Sequence, residues 1–301
     1  MPHGHCTLPA DDAGRIWDRL AGLEQVIPAE AVRQALQATG RTNQRSCQLT
    51  HEVVCWVVLA MGLLTELPIR QVFKHARRVR LGEKSPHRSS LCVARQRLGI
   101  APVRRLFEET VRPLARPETP GAFYRGFRLM GIDGVVFDVP DSDVNAAAFG
   151  RPSAGPRGDG AFPQIRKLSL VELGTHAEIA FVVRSITHGE QGMVGALLRH
   201  LDPEMLLLWD RGFFSYGLWK EVTSRRVTIL ARVTCRLILK PIRNLADGSY
   251  LAKIYRTPYD REKDRDGIVV RVIRYTLADP QRVGHGAVSY THLTLPTTPY
   301  V

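Results

Sequence analysis

Two aspartates lie in apolar runs of the sequence, and each is followed closely by a glycine. Asp133 lies within "LMGIDGVV", and Asp210 ends "MLLLWD" two residues before Gly212. Both runs are typical of buried β-strands, where a carboxylate is costly unless it is paired or binds a cation. Two such carboxylates on adjacent strands would suit hard divalent cations such as Mg²⁺. Two ions about 3.5 to 4 Å apart would activate a nucleophile and stabilise the leaving oxygen of a phosphodiester.

Each aspartate also has an ordinary structural interpretation. Asp133 could make a turn, and Asp210 could pair with the arginine that follows it. Because side chains alternate along a strand, Asp138 points away from the face that carries Asp133. Together with Asp141 and Asp143, it is expected to be a turn or surface acid.

The sequence pattern in the first part of the chain predicts helices. Residues 1–116 contain apolar positions at helical spacing, interrupted by short turns, in a pattern similar to helix-turn-helix modules. Thr50 can cap the run "HEVVCWVVLAMGLL", and Ser89 or Ser90 can cap "LCVARQRLG". We therefore expect an all-α, DNA-binding N-terminal domain.

Positive charge accumulates in these helices. The chain has 42 Lys and Arg residues against 29 Asp and Glu residues, and this net charge of +13 favours a polyanionic partner. Between Arg70 and Arg105 there are eleven Lys or Arg residues and one acid. A solvated basic face is the alternative, but the cluster continues over three predicted helices and favours contacts with double-stranded DNA. The candidate DNA-binding residues are Arg70, Lys74, Arg77, Arg78, Arg80, Arg88, Arg95, Arg97 and Arg211. Arg211 could instead hold Asp210.

Several classes of protein are disfavoured. The longest apolar stretch, Val53 to Leu64, has 12 residues, whereas a membrane-spanning helix needs about 20. The first residues have neither a basic segment nor an apolar segment typical of a signal peptide. The five cysteines are scattered and form no Cys-x-x-Cys motif, which disfavours a disulfide framework. These features predict a cytoplasmic protein with no membrane partner.

The second part of the chain predicts an α/β domain. Residues 117–126 are rich in proline and glycine and are expected to form a linker. Strands are predicted at 127–139, 165–173 and 177–186, followed by a helix, the buried strand "MLLLW" and another helix. This order predicts a core whose central strands are covered on both faces. From about residue 235 the pattern is typical of a β-rich insertion.

The last fifteen residues differ in composition from the rest. The string "AVSYTHLTLPTTPYV" contains no acid, Lys or Arg. A flexible tail is one interpretation. The string also closely resembles translated sequencing adapter, so we expect 287–301 to be non-native and the domain over 127–286 to be incomplete.

Five motifs in order resemble the insertion-sequence-four branch of the DDE transposases over residues 30–286. They are "GIDGVVFDVPDSDVNAAAFGRP", "FPQIRKLSLVELGTH", "HGEQ", "LLLWDRGFFS" and "LARVTCRLILKP". The resemblance implies a helical domain followed by a ribonuclease H-like catalytic core. It implies that Asp133 and Asp210 are the first two catalytic and metal-binding carboxylates. It also implies that the intact enzyme uses two Mg²⁺ or Mn²⁺ ions.

The same resemblance implies an activity. Such an enzyme hydrolyses the phosphodiester at an element end and joins the freed 3′-hydroxyl to target DNA, as a homodimer on DNA in the prokaryotic nucleoid. The family takes its third carboxylate from a Tyr-x-x-Arg-x-x-x-Glu-x-x-x-x-x-x-Lys pattern, which has no match here. "YDREK" at 259–263 has the wrong spacing and is expected to be a charged turn. We therefore expect this fragment to bind DNA and to cleave it poorly or not at all.

Two other functions stay open at this point. Another ribonuclease H-like nuclease, such as a resolvase, would need a third acid from Glu172, Glu190 or Glu262. A non-catalytic DNA-binding protein derived from a transposase would keep the fold. In that protein, replacing Asp133 or Asp210 by alanine would change only stability.

Overall fold

The structure is a computed structural model that describes residues 20–23, 25–43, 47–76, 85–153, 158, 160–233 and 237–274. Contacts between residues divide the chain into two units, Met1–Val111 and Arg112–Val301. The first unit is helical, and the second is built on a mixed β-sheet. The tail expected over 287–301 lies outside the described residues.

The first unit is organised around one apolar helix. Its helices are α1 (Ala29–Ala38), α2 (His51–Leu63), α3 (Ile69–Ala76), α4 (Arg88–Leu98) and α5 (Ala101–Thr110). Val57 of α2 packs with Phe73 and Leu91 in one hydrophobic core. Val54 packs with Leu36 in another. Helix α2 contributes to two cores because its sequence is apolar on all sides, as expected of a buried helix.

The ends of these helices test the predicted caps. Thr50 caps α2, as predicted, because its Oγ1 accepts a hydrogen bond from the Val53 amide at 3.2 Å. The prediction of Ser89 or Ser90 as the cap of α4 is wrong. His87 is the cap, and its Nδ1 accepts from the Ser89 amide at 3.4 Å. The imidazole supplies the acceptor that a serine was expected to supply, so the helix begins earlier, at Arg88. No described helix has the length and apolar character needed to cross a bilayer.

The second unit contains a six-stranded sheet. Its strands are β1 (Phe123–Tyr124), β2 (Phe127–Asp138), β3 (Gln164–Glu172), β4 (Ala177–Ser185), β5 (Met205–Trp209) and β6 (Thr228–Ala231). The order is β4-β3-β2-β5-β6, with β1 paired to β2. Strands β2, β3 and β4 are antiparallel, and β5 and β6 run parallel to β2. The first three predicted long strands are confirmed to within one residue, whereas the predicted linker contains β1.

Short helices and a small sheet complete this unit. The helices are α6 (Asp143–Phe149), α7 (Glu190–Val194), α8 (Tyr216–Ser224) and α9 (Pro258–Glu262), with 3-10 turns at Leu198–His200 and Arg211–Phe213. Strands β7 (Arg243–Asn244), β8 (Tyr250–Ile254) and β9 (Ile268–Val272) form an antiparallel sheet in the predicted β-rich region. The charged turn predicted at "YDREK" is instead helix α9. It forms because Thr257 Oγ1 accepts from the Asp260 amide at 3.1 Å and caps it.

One face of the six-stranded sheet is the core of the second unit. Ile132 and Leu168 are buried on this face, and Trp209 packs against Trp219 of α8 with ring centroids 5.9 Å apart. On the other face, Val135 and Phe137 at the end of β2 are exposed. The prediction that the central strands are covered on both faces is therefore wrong for this end of β2. The contacts of α7 and α8 with the sheet lie on the Ile132 face.

Candidate functional site

Strand register brings the two predicted aspartates together. Strands β2 and β5 run parallel, with Gly131 opposite Leu208. Asp133 lies two residues beyond this pair on β2, and Asp210 directly follows the last residue of β5, so the register continued by two positions places them opposite each other. Neighbouring strands are about 4.8 Å apart, and residues at equivalent positions project from the same face. Both carboxylates therefore project from the face opposite Ile132.

Both carboxylates are exposed to solvent. Asp133 Oδ1 accepts a hydrogen bond from the amide of Gly134 at 2.8 Å. The Asp210 side chain is 62% exposed, and Arg232 Nη1 lies 3.9 Å from its Oδ1. The ion pair that the structure gives Asp210 is thus with Arg232 and not with the neighbouring Arg211. At this exposure the pair is a weak interaction. Both carboxylates remain accessible to a cation.

The two aspartates belong to a row of polar residues that crosses the sheet. Ser169 lies opposite Asp133 on β3. Trp209 pairs with Ala231, the last residue of β6, so Arg232, which directly follows β6, lies at the position equivalent to Asp210. Neither Ser169 nor Arg232 was predicted from the sequence. A signal for Arg232 was present, since it directly follows the strand "TILA" as Asp210 follows "MLLLW".

No third carboxylate joins the aspartates in the part of the chain that the structure describes. There, no three His, Cys, Asp or Glu side chains are grouped closely enough to hold a metal ion. Glu172 is buried, and Glu262 is exposed at the end of α9. Glu190 lies against the backbone of Gly134, on the face opposite the two aspartates. The three acids considered for another nuclease therefore lie apart from the site.

The donor set fits a hard divalent cation. Asp133 and Asp210 offer carboxylate oxygen, which Mg²⁺ and Mn²⁺ prefer. Mg²⁺ is commonly bound through one or two carboxylates while it keeps several waters or binds substrate phosphates. Two exposed carboxylates at equivalent positions meet this requirement without a third protein ligand.

A buried carboxylate anchors the segment that precedes the sheet. Glu172 accepts hydrogen bonds from the amides of Leu114 at 3.0 Å and Ala115 at 2.8 Å, and from the Thr175 hydroxyl. It also forms an ion pair with Arg128. Burial raises the pKa of Glu172, but these hydrogen bonds outweigh it and hold the pKa below its ordinary value. This fully hydrogen-bonded group has a structural role.

The described candidates for DNA contact are exposed cations. They are Arg70 and Lys74 on α3, Arg88, Arg95 and Arg97 on α4, and Arg211 after β5. Arg70 and Lys74 are four residues apart and share one face of α3, whereas Phe73 of the same helix is buried. The cations therefore lie on solvent faces, available to phosphates. Arg77, Arg78 and Arg80 lie outside the described residues.

Comparisons with known proteins identify related sequences. Residues 17–108 match the family described as "Insertion element 4 transposase N-terminal". Transposase InsG for insertion sequence element IS4 of Escherichia coli K12 is 28% identical over 250 residues, which are 81% of this chain and 55% of that protein. Putative transposase InsZ of the same organism is 26% identical over 255 residues, 77% of this chain and 83% of that protein. The chain thus spans about half the length of InsG.

Two solved structures show only distant likeness. One is a piggyBac transposase synaptic complex with hairpin DNA, at a TM-score of 0.33 and 13% identity, covering 100% of this chain and 55% of that one. The other is endonuclease V from Bacillus subtilis, at a TM-score of 0.22 and 12% identity, covering 64% of this chain and 75% of that one. At these TM-scores neither likeness bears on fold or function.

Proposed function

We propose that this chain, which is similar to the insertion element 4 transposase family and to two Escherichia coli transposases, is an insertion-sequence-four-type transposase that acts in cut-and-paste DNA transposition through Asp133 and Asp210. The observation that carries the proposal is the equivalent position of the two aspartates on neighbouring parallel strands. A ribonuclease H-like core is part of the proposal. Three antiparallel strands followed by two parallel strands, with helices in the connections, support it.

The residues of the site have two proposed tasks, cation binding and phosphate contact. Asp133 and Asp210 would hold Mg²⁺ or Mn²⁺, and their negative charge keeps this edge of the sheet selective for cations. Such ions, when bound, polarise phosphodiester oxygens and lower the pKa of water. Arg232 brings a positive charge beside Asp210, where it can contact a DNA phosphate. Arg211 is exposed at the same edge and is proposed for the same task.

The reaction has two stages in the proposed activity. Water attacks the phosphorus at an element end, and the bond to the 3′-oxygen breaks, which leaves a 3′-hydroxyl and a 5′-phosphate. That 3′-hydroxyl then attacks a phosphorus of target DNA. A new phosphodiester bond forms while the bond from this phosphorus to the target's 3′-oxygen breaks, which releases a 3′-hydroxyl on the target strand. We propose that a homodimer on DNA brings the two element ends together.

The exposed cations of the first unit are proposed to hold the DNA. Arg70, Lys74, Arg88 and Arg95 can each meet a phosphate, and such contacts give affinity without sequence preference. A third carboxylate is proposed to be absent from this chain, so that it binds DNA and cleaves it poorly. The absence of a three-carboxylate group among the described residues supports this part of the proposal.

Manganese titration of the 301-residue chain tests the metal site. Asp133→Ala or Asp210→Ala should raise the dissociation constant for Mn²⁺, measured from the free-ion electron paramagnetic resonance signal, by at least about tenfold, since each removes one of two carboxylates. Asp138→Ala is the matched control, because Asp138 projects from the opposite face of β2 and accepts a hydrogen bond from Gln164. It should change the constant by less than about twofold.

Two results would contradict the proposal. Equal Mn²⁺ binding by wild type, Asp133→Ala and Asp210→Ala would favour the non-catalytic DNA-binding protein. Robust Mg²⁺-dependent cleavage of plasmid DNA by the 301-residue chain, abolished in Asp133→Ala, would overturn the proposed inactivity of the fragment.

A further inference from the structure

We infer that the first turn of α7 sets the spacing of the two aspartates. Consecutive side chains of this turn, Glu190 and Gln191, contact the backbone next to each aspartate. They contact it at Gly134 and Gly212 respectively. Both are positioning residues, and their role rests on the proposed function of the aspartate pair.

Glu190 packs directly on the backbone that follows Asp133. A Cβ atom at Gly134 would lie 2.5 Å from Glu190 Oε1 and 2.7 Å from its Cδ, so glycine leaves the space that the carboxylate fills. Arg166 Nη1 donates to Glu190 Oε1 at 3.2 Å. Arg166 belongs to β3 and lies opposite Val136 of β2. The carboxylate is therefore held between two strands of the sheet.

Gln191 holds the turn that follows Asp210. Its Nε2 donates to the carbonyl oxygen of Gly212 at 2.7 Å. Gly212 lies in the 3-10 turn Arg211–Phe213, which begins directly after Asp210. Phe213 of the same turn is buried. The Gln191 hydrogen bond and the buried Phe213 ring thus fix the turn, together with the hydrogen bond that the Phe213 amide donates to the Asp210 carbonyl at 3.0 Å.

The contact of Glu190 lies on the face of the sheet opposite the aspartate side chains. Successive side chains of a strand project from opposite faces. Glu190, which lies on the Cβ side of Gly134, is therefore on the face opposite the Asp133 carboxylate and contacts backbone instead of a cation. Groups that hydrogen-bond to metal-binding side chains typically change metal affinity about 10- to 100-fold when they are removed. Glu190 and Gln191 act through backbone, so an effect at the lower end of this range is expected. The "HGEQ" motif thereby has a physical role that the sequence analysis left unassigned.

Hydrogen exchange of the metal-free 301-residue chain tests the bracing. Glu190→Ala should speed amide exchange over 131–136, and Gln191→Ala should speed it over 209–214. Glu190→Gln should keep the wild-type pattern, since the amide oxygen fills the same space and still accepts from Arg166. Glu221→Ala is the control, because Glu221 makes an exposed pair with Arg225 on α8. Unchanged exchange in both alanine variants would overturn the inference.

Manganese titration tests the consequence for the site. Glu190→Ala and Gln191→Ala should each raise the Mn²⁺ dissociation constant about tenfold, and Glu190→Gln should restore it. Gly134→Ala should also raise it, because the added Cβ displaces Glu190. In the Glu190→Ala background the same substitution should add little, since the two changes act through one contact.

The outcomes separate this inference from the proposed function. If Mn²⁺ affinity depends on Asp133 and Asp210 but not on Glu190 or Gln191, the bracing is wrong and the metal site stands. If Mn²⁺ affinity does not depend on the aspartates, the metal site fails. The exchange experiment still decides whether α7 braces the two strands.

Discussion

The two units of this protein carry their proposed functional charges in different ways. In the first unit, cations such as Arg70 and Lys74 lie on solvent faces of helices whose other faces are buried in cores. In the second unit, Asp133 and Asp210 occupy neighbouring positions only because β2 and β5 pair in one register. A slip of one residue would turn every side chain of a strand to the other face. A phosphate-binding surface tolerates small shifts, whereas a two-carboxylate site does not.

The largest expected effect comes from the buried carboxylate of the second unit. Glu172→Ala removes the acceptor of two amides and the ion-pair partner of Arg128, which keeps its hydrogen bond to the Ala115 carbonyl, and should lower the free energy of unfolding by about 3 to 5 kcal/mol. Urea denaturation measures the loss. Amide exchange should rise in the second unit and stay unchanged in the first. The control Glu221→Ala should change stability by less than about 0.5 kcal/mol. Equal loss of amide protection in both units would contradict the prediction that Glu172 stabilises only the second unit.

The lowered pKa of Glu172 predicts that the stability of the second unit depends on pH. The pKa of Glu172 is lowered on folding. Its contribution is therefore fully present above the unfolded-state pKa, near 4.3, and is lost as pH falls through the lower folded-state pKa. The midpoint of urea denaturation is measured at pH values from 7 downward. Below the unfolded-state pKa of Glu172, the midpoint should fall less steeply in Glu172→Gln than in wild type. Parallel curves would contradict this prediction.

A smaller effect is expected from the cations of the first unit. Replacing Arg70, Lys74, Arg88 and Arg95 together by glutamine should reduce the slope of log affinity against log salt by about 3 to 4, since each lost phosphate contact removes about 0.9. Binding to duplex DNA by fluorescence anisotropy gives this slope, and Mn²⁺ affinity should not change. Arg33→Gln is the control, because Arg33 is paired with Glu30 and Glu52. An unchanged slope would show that these cations do not meet phosphates.

The smallest effect concerns the cap of the central helix. Thr50→Ala removes the acceptor of the Val53 amide and should cost about 1 kcal/mol. Thr50→Ser keeps the hydroxyl and should be close to wild type. Because α2 contributes to both cores, amide exchange should rise throughout the first unit while Mn²⁺ affinity in the second stays unchanged. A response confined to the first turn of α2 would contradict the central role of this helix.

Local patterns in the sequence predicted much of the fold. The strands over 127–139, 165–173 and 177–186 and the cap at Thr50 are confirmed, because period-two alternation and capping residues act over a few positions. The resemblance inferred from the motifs agrees with the family match over residues 17–108 and with the similarity to the two transposase relatives. The cap at His87 was missed because an imidazole nitrogen is an uncommon acceptor at that position.

Contacts between distant segments could not be predicted from such local patterns. Arg232 reaches Asp210 only through the pairing of β5 with β6, and Gln191 reaches Gly212 only through the packing of α7. The prediction that both faces of β2 are covered was wrong for the end of this strand, since the exposure of a strand depends on which helices pack on the sheet. None of these contacts changes the periodicity of the segments that make them.

The sequence by itself determined the apolar strands, the glycines beside the aspartates and the excess of positive charge, because these are properties of neighbouring residues. Only the tertiary structure decided that Asp133 and Asp210 occupy equivalent positions and that one turn of α7 contacts the backbone beside both. The physical reason is that register and packing are set by the burial of whole strands against each other. A carboxylate is carried to its place by apolar residues that take no part in its chemistry.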